Sequence, residues 1–155
     1  MLTDKEIIWR LTLSVLLSGL IGLERQIQGR HAGLRTHMLV CLGSCLIMLT
    51  SVYVFDIYKG IAAVDPSRIA AGVITGIGFL GAGTIIRESE KIIGLTTAAS
   101  LWVVAGIGLA IGVGFYIAGI FSTVLTLVVL FFLRFIEGVM FHKGTLMKGG
   151  QGDGI

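Results

Sequence analysis

Charged residues are scarce in this sequence, and their scarcity argues against a soluble protein. Asp, Glu, Lys and Arg make up 14% of the 155 residues, whereas 55% of the residues are hydrophobic. Soluble domains carry about 25% charged residues. We therefore predict an all-α integral membrane protein with a single domain. The formal net charge is +3 and no basic stripe is present, so we expect no nucleic-acid partner.

Proline and cysteine are also rare. Proline occurs once, and the 23 glycines follow no fixed period, which excludes a fibrous chain and indicates tight helix packing. The two cysteines, Cys41 and Cys45, are four residues apart, where a disulfide is poorly shaped and two thiols do not complete a metal site. No Ser/His/Asp or Cys/His arrangement that would suggest catalysis is present. We therefore expect that the protein is not an enzyme and uses no cofactor, and Mg²⁺ is the one ion whose binding we consider.

Five apolar stretches are long enough to be transmembrane helices. They cover approximately residues 7–23, 36–55, 69–86, 95–111 and 115–135. With the amino terminus outside, eight Lys and Arg residues fall on the inner side and four on the outer side, which is the favoured bias. We predict a bundle of five transmembrane helices within residues 1–137, with the amino terminus out and the carboxyl terminus in. The short glycine-rich tail, residues 138–155, is predicted to be disordered.

The third stretch is predicted to be the hub of the bundle. At 100° per residue its small residues form two faces, and close helix association in lipid depends on such faces because they let backbones approach. We expect its glycines to pack against neighbouring helices, namely Gly72, Gly76, Gly78, Gly81 and Gly83. Three of these glycines also spell G-x-G-x-x-G, but a dinucleotide site needs that pattern between a strand and a helix, so packing is the preferred interpretation.

No acidic residue lies in the middle of a predicted span. An ion pathway through a bilayer normally contains an intramembrane ionisable residue, and Mg²⁺ sites use one or two carboxylates together with retained waters. This absence favours a regulator over a transporter, unless several subunits share a pore.

Charged candidates cluster instead at the two membrane surfaces. On the inner side, Glu24 ends the first helix and Arg35 begins the second, so each lies at the unfavourable pole of its own helix at a cost of about 0.3 to 1 kcal/mol. We expect an ion pair between them or with a neighbour, and a ligand or partner site is the alternative. His31 and His37 are interpreted as ordinary interfacial histidines.

On the outer side, Asp65 and Pro66 precede the third helix. Asp65 is predicted to be its amino cap and Pro66 its first residue. Arg68 lies in the first turn, where a cation is disfavoured, so we expect a counter-ion such as Asp56 or Asp65. Cation binding by these two aspartates is the alternative, and it makes them weak metal candidates.

The fourth helix adds three candidates. Thr96 and Thr97 are predicted to cap its first amide groups, which are alternatively an anion site. Trp102 falls near the middle of the span, so we expect its ring to face the bundle, where the indole N–H finds a partner.

Taken in order, these stretches resemble the MgtC/SapB family of bacterial membrane proteins. The matching positions are residues 22–25 (GLER), Gly29, 32–36 (AGLRT), Asp65, Pro66, Arg68, 76–83 (GIGFLGAG), 94–99 (GLTTAA) and Trp102. The resemblance implies a multi-pass protein of the bacterial inner membrane that is associated with magnesium homeostasis and adaptation to low magnesium. In some members it also implies virulence inside host cells and an inhibitory contact with the membrane ATP synthase.

The resemblance marks Glu24, Arg25, Arg35, Asp65 and Arg68 as functional candidates. Many members carry a soluble cytoplasmic domain after the fifth helix, and we expect the membrane domain alone here. Our first hypothesis is a non-enzymatic regulator that packs against another membrane protein through its glycine faces. The alternative, favoured by the family's history as a magnesium transporter class, is a transporter or channel for Mg²⁺ or another cation, working as a homo-oligomer gated by Glu24, Asp65 and their arginines.

Overall fold

The computed structural model describes residues 2–88 and 91–148, which form five helices and one small hairpin. The helices are α1 (Asp4–Ile27), α2 (Leu34–Tyr58), α3 (Ser67–Gly83), α4 (Leu95–Val113) and α5 (Tyr116–Lys148). Two antiparallel strands, β1 (Ile86–Glu88) and β2 (Lys91–Ile93), join α3 to α4 and pair Ile86 with Ile93. The five predicted helices are present, and the hairpin was not predicted.

Three of the helices are long and apolar enough to cross a membrane, namely α1, α2 and α4. Two apolar helices are shorter: α3 and the segment Tyr116–Phe132 of α5. An all-α fold with three candidate membrane spans is therefore confirmed, whereas five crossings and the orientation of the chain stay predictions. "Inner" and "outer" below refer to the predicted orientation.

The helix ends differ from the sequence predictions in two places. α3 ends at Gly83, three residues before the predicted end, because the chain turns into β1 instead. α5 continues to Lys148, so residues 138–148 are helical where a disordered tail was predicted. A glycine-rich composition lowers helix propensity, but no proline interrupts this segment. Residues 149–155 of the predicted tail lie outside the described residues.

The centre of the bundle is α4, and the prediction that α3 is the hub is wrong. α4 packs against all four other helices. Two of its glycines make this possible: a Cβ at Gly108 would lie 2.4 Å from the carbonyl oxygen of Cys41, and one at Gly112 would lie 2.6 Å from the Cβ of Met48. Any side chain at these positions would collide with α2.

α3 lies at the edge of the bundle and buries a single line of residues, Val73, Ile77 and Gly81. A Cβ at Gly81 would lie 3.6 Å from the Cβ of Ala98, but one at the other predicted packing glycines would have no heavy atom within 4 Å: Gly72, Gly76, Gly78 and Gly83. Helical periodicity identifies a small-residue face, but it does not reveal whether a neighbour covers that face.

Candidate functional site

A buried polar cluster joins the inner ends of α1, α2 and α4. We call it the polar cluster, and it consists of Glu24, Arg25, His37, Thr97 and Ser100, all of them buried. The His37 ring places Nδ1 2.9 Å from the carbonyl oxygen of Gly33 and Nε2 3.0 Å from Oγ of Ser100. A carbonyl oxygen only accepts, so Nδ1 carries a hydrogen. The Ser100 hydroxyl that contacts Nε2 also donates to the carbonyl oxygen of Thr97 at 2.8 Å. The cluster therefore fixes the ring between two helices.

The close approach of α1 and α2 at this cluster depends on Gly22. A Cβ at Gly22 would lie 2.8 Å from Cα of Leu34 and 3.0 Å from Cβ of His37. Hydrogen bonding holds the His37 ring against α4, so the interpretation of His37 as an ordinary interfacial histidine is wrong. The sequence offered one signal for its burial: the ring falls on the same side of α2 as Cys41 and Ser44, within an apolar helix.

Glu24 is 8% exposed, and it does not pair with Arg35. Its Oε2 lies 3.1 Å from Nε of Arg25, and within the described chain neither carboxylate oxygen makes a hydrogen bond. Arg35 is exposed, and it lines a surface pocket with Gln26, Gly33 and Thr36 instead of entering the polar cluster. Of the two predicted alternatives for Glu24, pairing with Arg35 is therefore wrong and pairing with a neighbour is confirmed, because Arg25 is the partner.

The acidic candidates on the outer side do not form one cluster, because Asp65 and Asp56 each bond to a different residue. The carboxylate of Asp65 accepts hydrogen bonds from the Ser67 N–H at 2.8 Å and from the Ser67 hydroxyl at 2.6 Å. These bonds, with a smaller effect from the charge of Arg68, lower the pKa of Asp65 from its usual value. α3 begins at Ser67 with Pro66 as its N-cap, so the predicted cap is one residue out of register, although Asp65 does satisfy the first amide.

Asp56 pairs with Lys59 at 2.8 Å, and Arg68 is exposed without an ion pair in the described chain. Arg68 makes no ion pair with Asp56, whereas its charge contributes to the lowered pKa of Asp65, so Asp65 is the predicted counter-charge that the structure supports. Among the side chains that the structure describes, those of residues 2–87 and 91–132, no group of three or more His, Cys, Asp or Glu could hold a metal ion. A metal site at Asp56 and Asp65 stays a prediction without geometric support.

The three candidate residues of α4, Thr96, Thr97 and Trp102, differ in burial. Thr97 is buried in the polar cluster, whereas Thr96 is exposed, and the N-cap of α4 is Gly94, where no side chain caps the helix. Trp102 is 55% exposed, so the prediction that its ring faces the bundle is wrong. Position 102 follows the buried Leu101, and the 100° step turns it out of the packed face.

Sequence reasoning missed Arg10, which is buried towards the outer end of the bundle. Its Nη1 donates to the carbonyl oxygen of Gly112 at 2.7 Å, its Nε donates to the Tyr116 hydroxyl at 3.1 Å, and its guanidinium lies 5.8 Å from the centre of the Tyr116 ring. Arg10 thus ties α1 to the turn between α4 and α5. The available signal was an arginine inside an apolar stretch, which normally has a buried partner.

A surface groove lies between α2 and α3, and we call it the α2–α3 groove. It has a volume of about 610 Å³ and an apolar lining that includes Leu39, Gly43, Ile47, Gly72, Gly76 and Leu80. A Cβ at Gly43, Gly72 or Gly76 would have no heavy atom within 4 Å, so these glycines leave the groove floor open. The groove therefore offers room for a close backbone contact from outside the chain.

Comparison with known proteins identifies the family. Residues 11–139 match the model of the MgtC family. The chain is 51% identical over 127 residues to an Escherichia coli K12 protein named "Putative magnesium transporter YhiD", covering 81% of this chain and 59% of that protein. It is 39% identical over 137 residues to Protein SapB of Bacillus subtilis 168, covering 86% of this chain and 59% of SapB.

Protein MgtC of Salmonella typhimurium LT2 is 42% identical over 127 residues, which are 82% of this chain and 52% of MgtC. The chain thus spans somewhat more than half the length of these relatives, and no solved structure matches it. With most of its length matched by the family model and three such relatives, the chain belongs to the MgtC family.

Proposed function

We propose that this protein is a non-enzymatic regulator of magnesium homeostasis in the bacterial inner membrane, and that it acts by packing against another membrane protein. The observation that carries the proposal is the open α2–α3 groove, where a Cβ added at Gly43, Gly72 or Gly76 would meet no heavy atom of the described residues within 4 Å. Lipid supplies no hydrophobic drive between helices, so membrane helices associate where small residues let their backbones approach. Here that surface faces outwards.

The connection with magnesium comes from the relatives. YhiD is named for magnesium transport, and the family resemblance implies adaptation to low magnesium, with virulence in some members. The membrane ATP synthase is one candidate partner that the resemblance suggests. The protein crosses the membrane several times with its amino terminus outside, and no cofactor takes part.

A transporter or channel for Mg²⁺ or another cation is the second candidate. The observation that favours it is Glu24, a buried carboxylate whose oxygens make no hydrogen bond in the described chain. Ionisable residues buried in a membrane protein commonly mark ion pathways. In an oligomer, Glu24 and Asp65 would then form parts of a gate.

Two measurements separate these functions. The first is Mg²⁺ flux into liposomes that carry the purified protein, with Glu24→Gln and Asp65→Asn beside the unmodified chain. The second is growth at limiting Mg²⁺ of a bacterium that lacks its own MgtC-family genes and expresses the unmodified chain, Gly76→Leu or the control Gly78→Leu.

The regulator is supported by liposomes without flux and by growth that Gly76→Leu abolishes and Gly78→Leu preserves. Gly78 is a matched control because it is also an exposed α3 glycine without neighbours, but it does not line the groove. Flux above that of empty liposomes, lost in Glu24→Gln, would replace the regulator by the transporter.

A further inference from the structure

We infer that His37 is a proton-binding site of the folded bundle. As the pH falls, the buried ring takes up a proton, the Ser100 hydroxyl turns its hydrogen to a second acceptor, and Glu24 supplies the opposite charge. The junction of α1, α2 and α4 therefore responds to pH. The inference concerns the polar cluster and not the α2–α3 groove, so it goes beyond the proposed function and does not depend on it.

The type and the place of this residue point to a function. His37 is fully buried within α2, one of the three helices that are long and apolar enough to cross a membrane. An ionisable side chain inside a membrane bundle is costly, and such residues commonly serve in ion or proton binding. Among side chains, histidine has the unperturbed charge change closest to neutral pH.

The contacts of His37 and Ser100 require more hydrogens than a neutral ring supplies. Nδ1 lies 2.9 Å from the carbonyl oxygen of Gly33, Nε2 lies 3.0 Å from Oγ of Ser100, and this hydroxyl lies 2.8 Å from the carbonyl oxygen of Thr97. Both carbonyl oxygens only accept, so three hydrogens are needed to make all three hydrogen bonds. A neutral ring and a hydroxyl supply two, whereas a cationic ring and a hydroxyl supply three.

The same atoms hold the ring in both of its charge states. In the neutral state, Nδ1 donates to the Gly33 carbonyl and Nε2 accepts from the Ser100 hydroxyl. After proton uptake, Nε2 donates to Oγ of Ser100, and the hydroxyl hydrogen turns to the carbonyl oxygen of Thr97. One proton is added, no bond between heavy atoms changes, and the ring gains one positive charge. Without the Thr97 carbonyl, the displaced hydrogen would be a buried donor without an acceptor.

The charges that act on the ring come from α1. Burial of the ring opposes a positive charge, as does Arg25, whereas Glu24 favours it. Glu24 is itself buried, and neither of its carboxylate oxygens makes a hydrogen bond in the described chain. Its carboxylate therefore has lone pairs left to stabilise a second cation beside Arg25.

The other helices bring no further charge to this part of the bundle. α4 contains no charged residue, and its polar side chains in the cluster are the hydroxyls of Thr97 and Ser100. α3 carries Arg68 at its outer end, and residues 116–132 of α5 are uncharged. On α2 itself, Arg35 is exposed and the Cys41 thiol lies one turn further on. The response to pH is therefore expected to depend on Glu24 and Ser100.

A route for the proton leads through Ser100. A pocket of about 240 Å³ lies between α4 and α5, and Ser100 is the residue of the polar cluster that lines it. The hydroxyl-bearing residues Thr96 and Thr126 line the same pocket. Ser100 thus connects the fully buried ring with the surface of the bundle. A proton delivered to its oxygen is passed to Nε2 when the hydroxyl gives up a hydrogen on the side of the ring.

The test is a titration of the purified full chain in phosphatidylcholine nanodiscs by nitrogen-15 NMR. His31→Gln and His142→Gln leave His37 as the one remaining histidine of three. A neutral ring gives two unlike nitrogen signals, and a cationic ring gives two similar ones. Circular dichroism follows the helical fold while the pH is lowered from about 8 to about 4. We expect the second ring nitrogen to gain its hydrogen while the helical signal is retained.

Three variants of this chain locate the counter-charge and the acceptor. Glu24→Gln should lower the ratio of cationic to neutral ring at a given pH by roughly tenfold, the effect of losing one nearby opposite charge. Ser100→Ala should lower it by roughly fivefold, because a hydrogen bond from a charged donor is stronger than a neutral one. Ser44→Ala is the control and should leave the ratio unchanged. Ser44 is also a buried serine, but its hydroxyl donates to the Val40 carbonyl at 2.8 Å.

Two results would overturn the inference. The first is a ring that stays neutral until the helical signal is lost, because a buried neutral histidine then becomes charged only on unfolding. This result is read on the chain with an intact cluster, so it does not require that Glu24→Gln or Ser100→Ala folds. The second is a cationic ring whose ratio is the same in all three variants, because the cluster would then play no part. Neither result changes growth at limiting Mg²⁺, so the inference and the proposed function fail separately.

Discussion

α3 and α4 are both apolar and rich in glycine, yet they occupy opposite positions in the molecule. In α4, Gly108 and Gly112 lie against the backbone and side chains of α2, and a Cβ on either would lie within 3 Å of another atom. In α3, a Cβ added at Gly72, Gly76 or Gly78 would meet nothing within 4 Å in the described part of the chain. Glycine therefore serves internal packing in one helix and leaves an open surface in the other, and composition does not distinguish these two uses.

The largest expected effect follows from replacing a packed glycine. Gly108→Leu places a side chain where the carbonyl of Cys41 already lies, so we expect a loss of more than about 3 kcal/mol in the free energy of unfolding, or no folded protein at all. Denaturation in mixed detergent micelles measures this loss. Gly78→Leu is the control and should change the stability by less than about 1 kcal/mol. Similar losses of unfolding free energy in both variants would show that the glycines of α3 and α4 do not differ in packing.

A smaller loss of stability is expected when the contact of Arg10 with the end of α4 is removed. Arg10→Met keeps the length of the side chain but leaves the Gly112 carbonyl without its donor, which should cost about 2 to 3 kcal/mol of unfolding free energy. Tyr116→Phe removes the weaker of the two hydrogen bonds and should cost about 1 kcal/mol. The same denaturation experiment ranks the two variants. A larger loss in Tyr116→Phe would show that the Tyr116 hydroxyl, and not the Gly112 carbonyl, is the main partner of Arg10.

Substitution of Gly76, a glycine of the α2–α3 groove, should change function without changing stability. Gly76→Leu should change the free energy of unfolding by less than about 1 kcal/mol, because the new side chain enters open space. The same variant should abolish growth at limiting Mg²⁺, because the side chain fills the groove. The unfolding free energy of the variant and its growth at limiting Mg²⁺ are measured on the same transformants. Normal growth of Gly76→Leu would mean that the groove has no regulatory partner.

The smallest effect concerns Asp65, which is fully exposed. Its pKa is lowered in the folded protein below its ordinary value of 3.8 by the hydrogen bonds from Ser67 and, less strongly, by Arg68. A lowered folded-state pKa means that Asp65 contributes stability above the ordinary value and loses it as the pH falls through the folded value. Melting temperatures at about pH 5 and about pH 3 should therefore fall less with acid in Asp65→Asn than in the unmodified chain. Identical falls would show that the Ser67 hydrogen bonds form equally in the unfolded chain.

Sequence patterns predicted the elements better than their contacts. Apolar length located all five helices, and the family motifs selected Glu24, Arg25 and Thr97, which the structure gathers in one buried cluster with His37. The pairing of Glu24 with Arg35 was wrong, since helix-pole arguments identify charges that need a partner but not the direction in which each side chain points. The burial of Arg10 was missed for a related reason: its acceptor, the Gly112 carbonyl, lies 102 residues away.

The sequence by itself determined the class of the protein, its helices and its family, because these depend on apolar length, on periodicity and on the order of short motifs. Only the tertiary structure decided that α4 is central and α3 peripheral, that Glu24 is buried beside Arg25, and that an open groove lies between α2 and α3. The physical reason is that burial depends on which helix lies against which. In lipid, small residues permit that contact equally well inside the chain and with a partner.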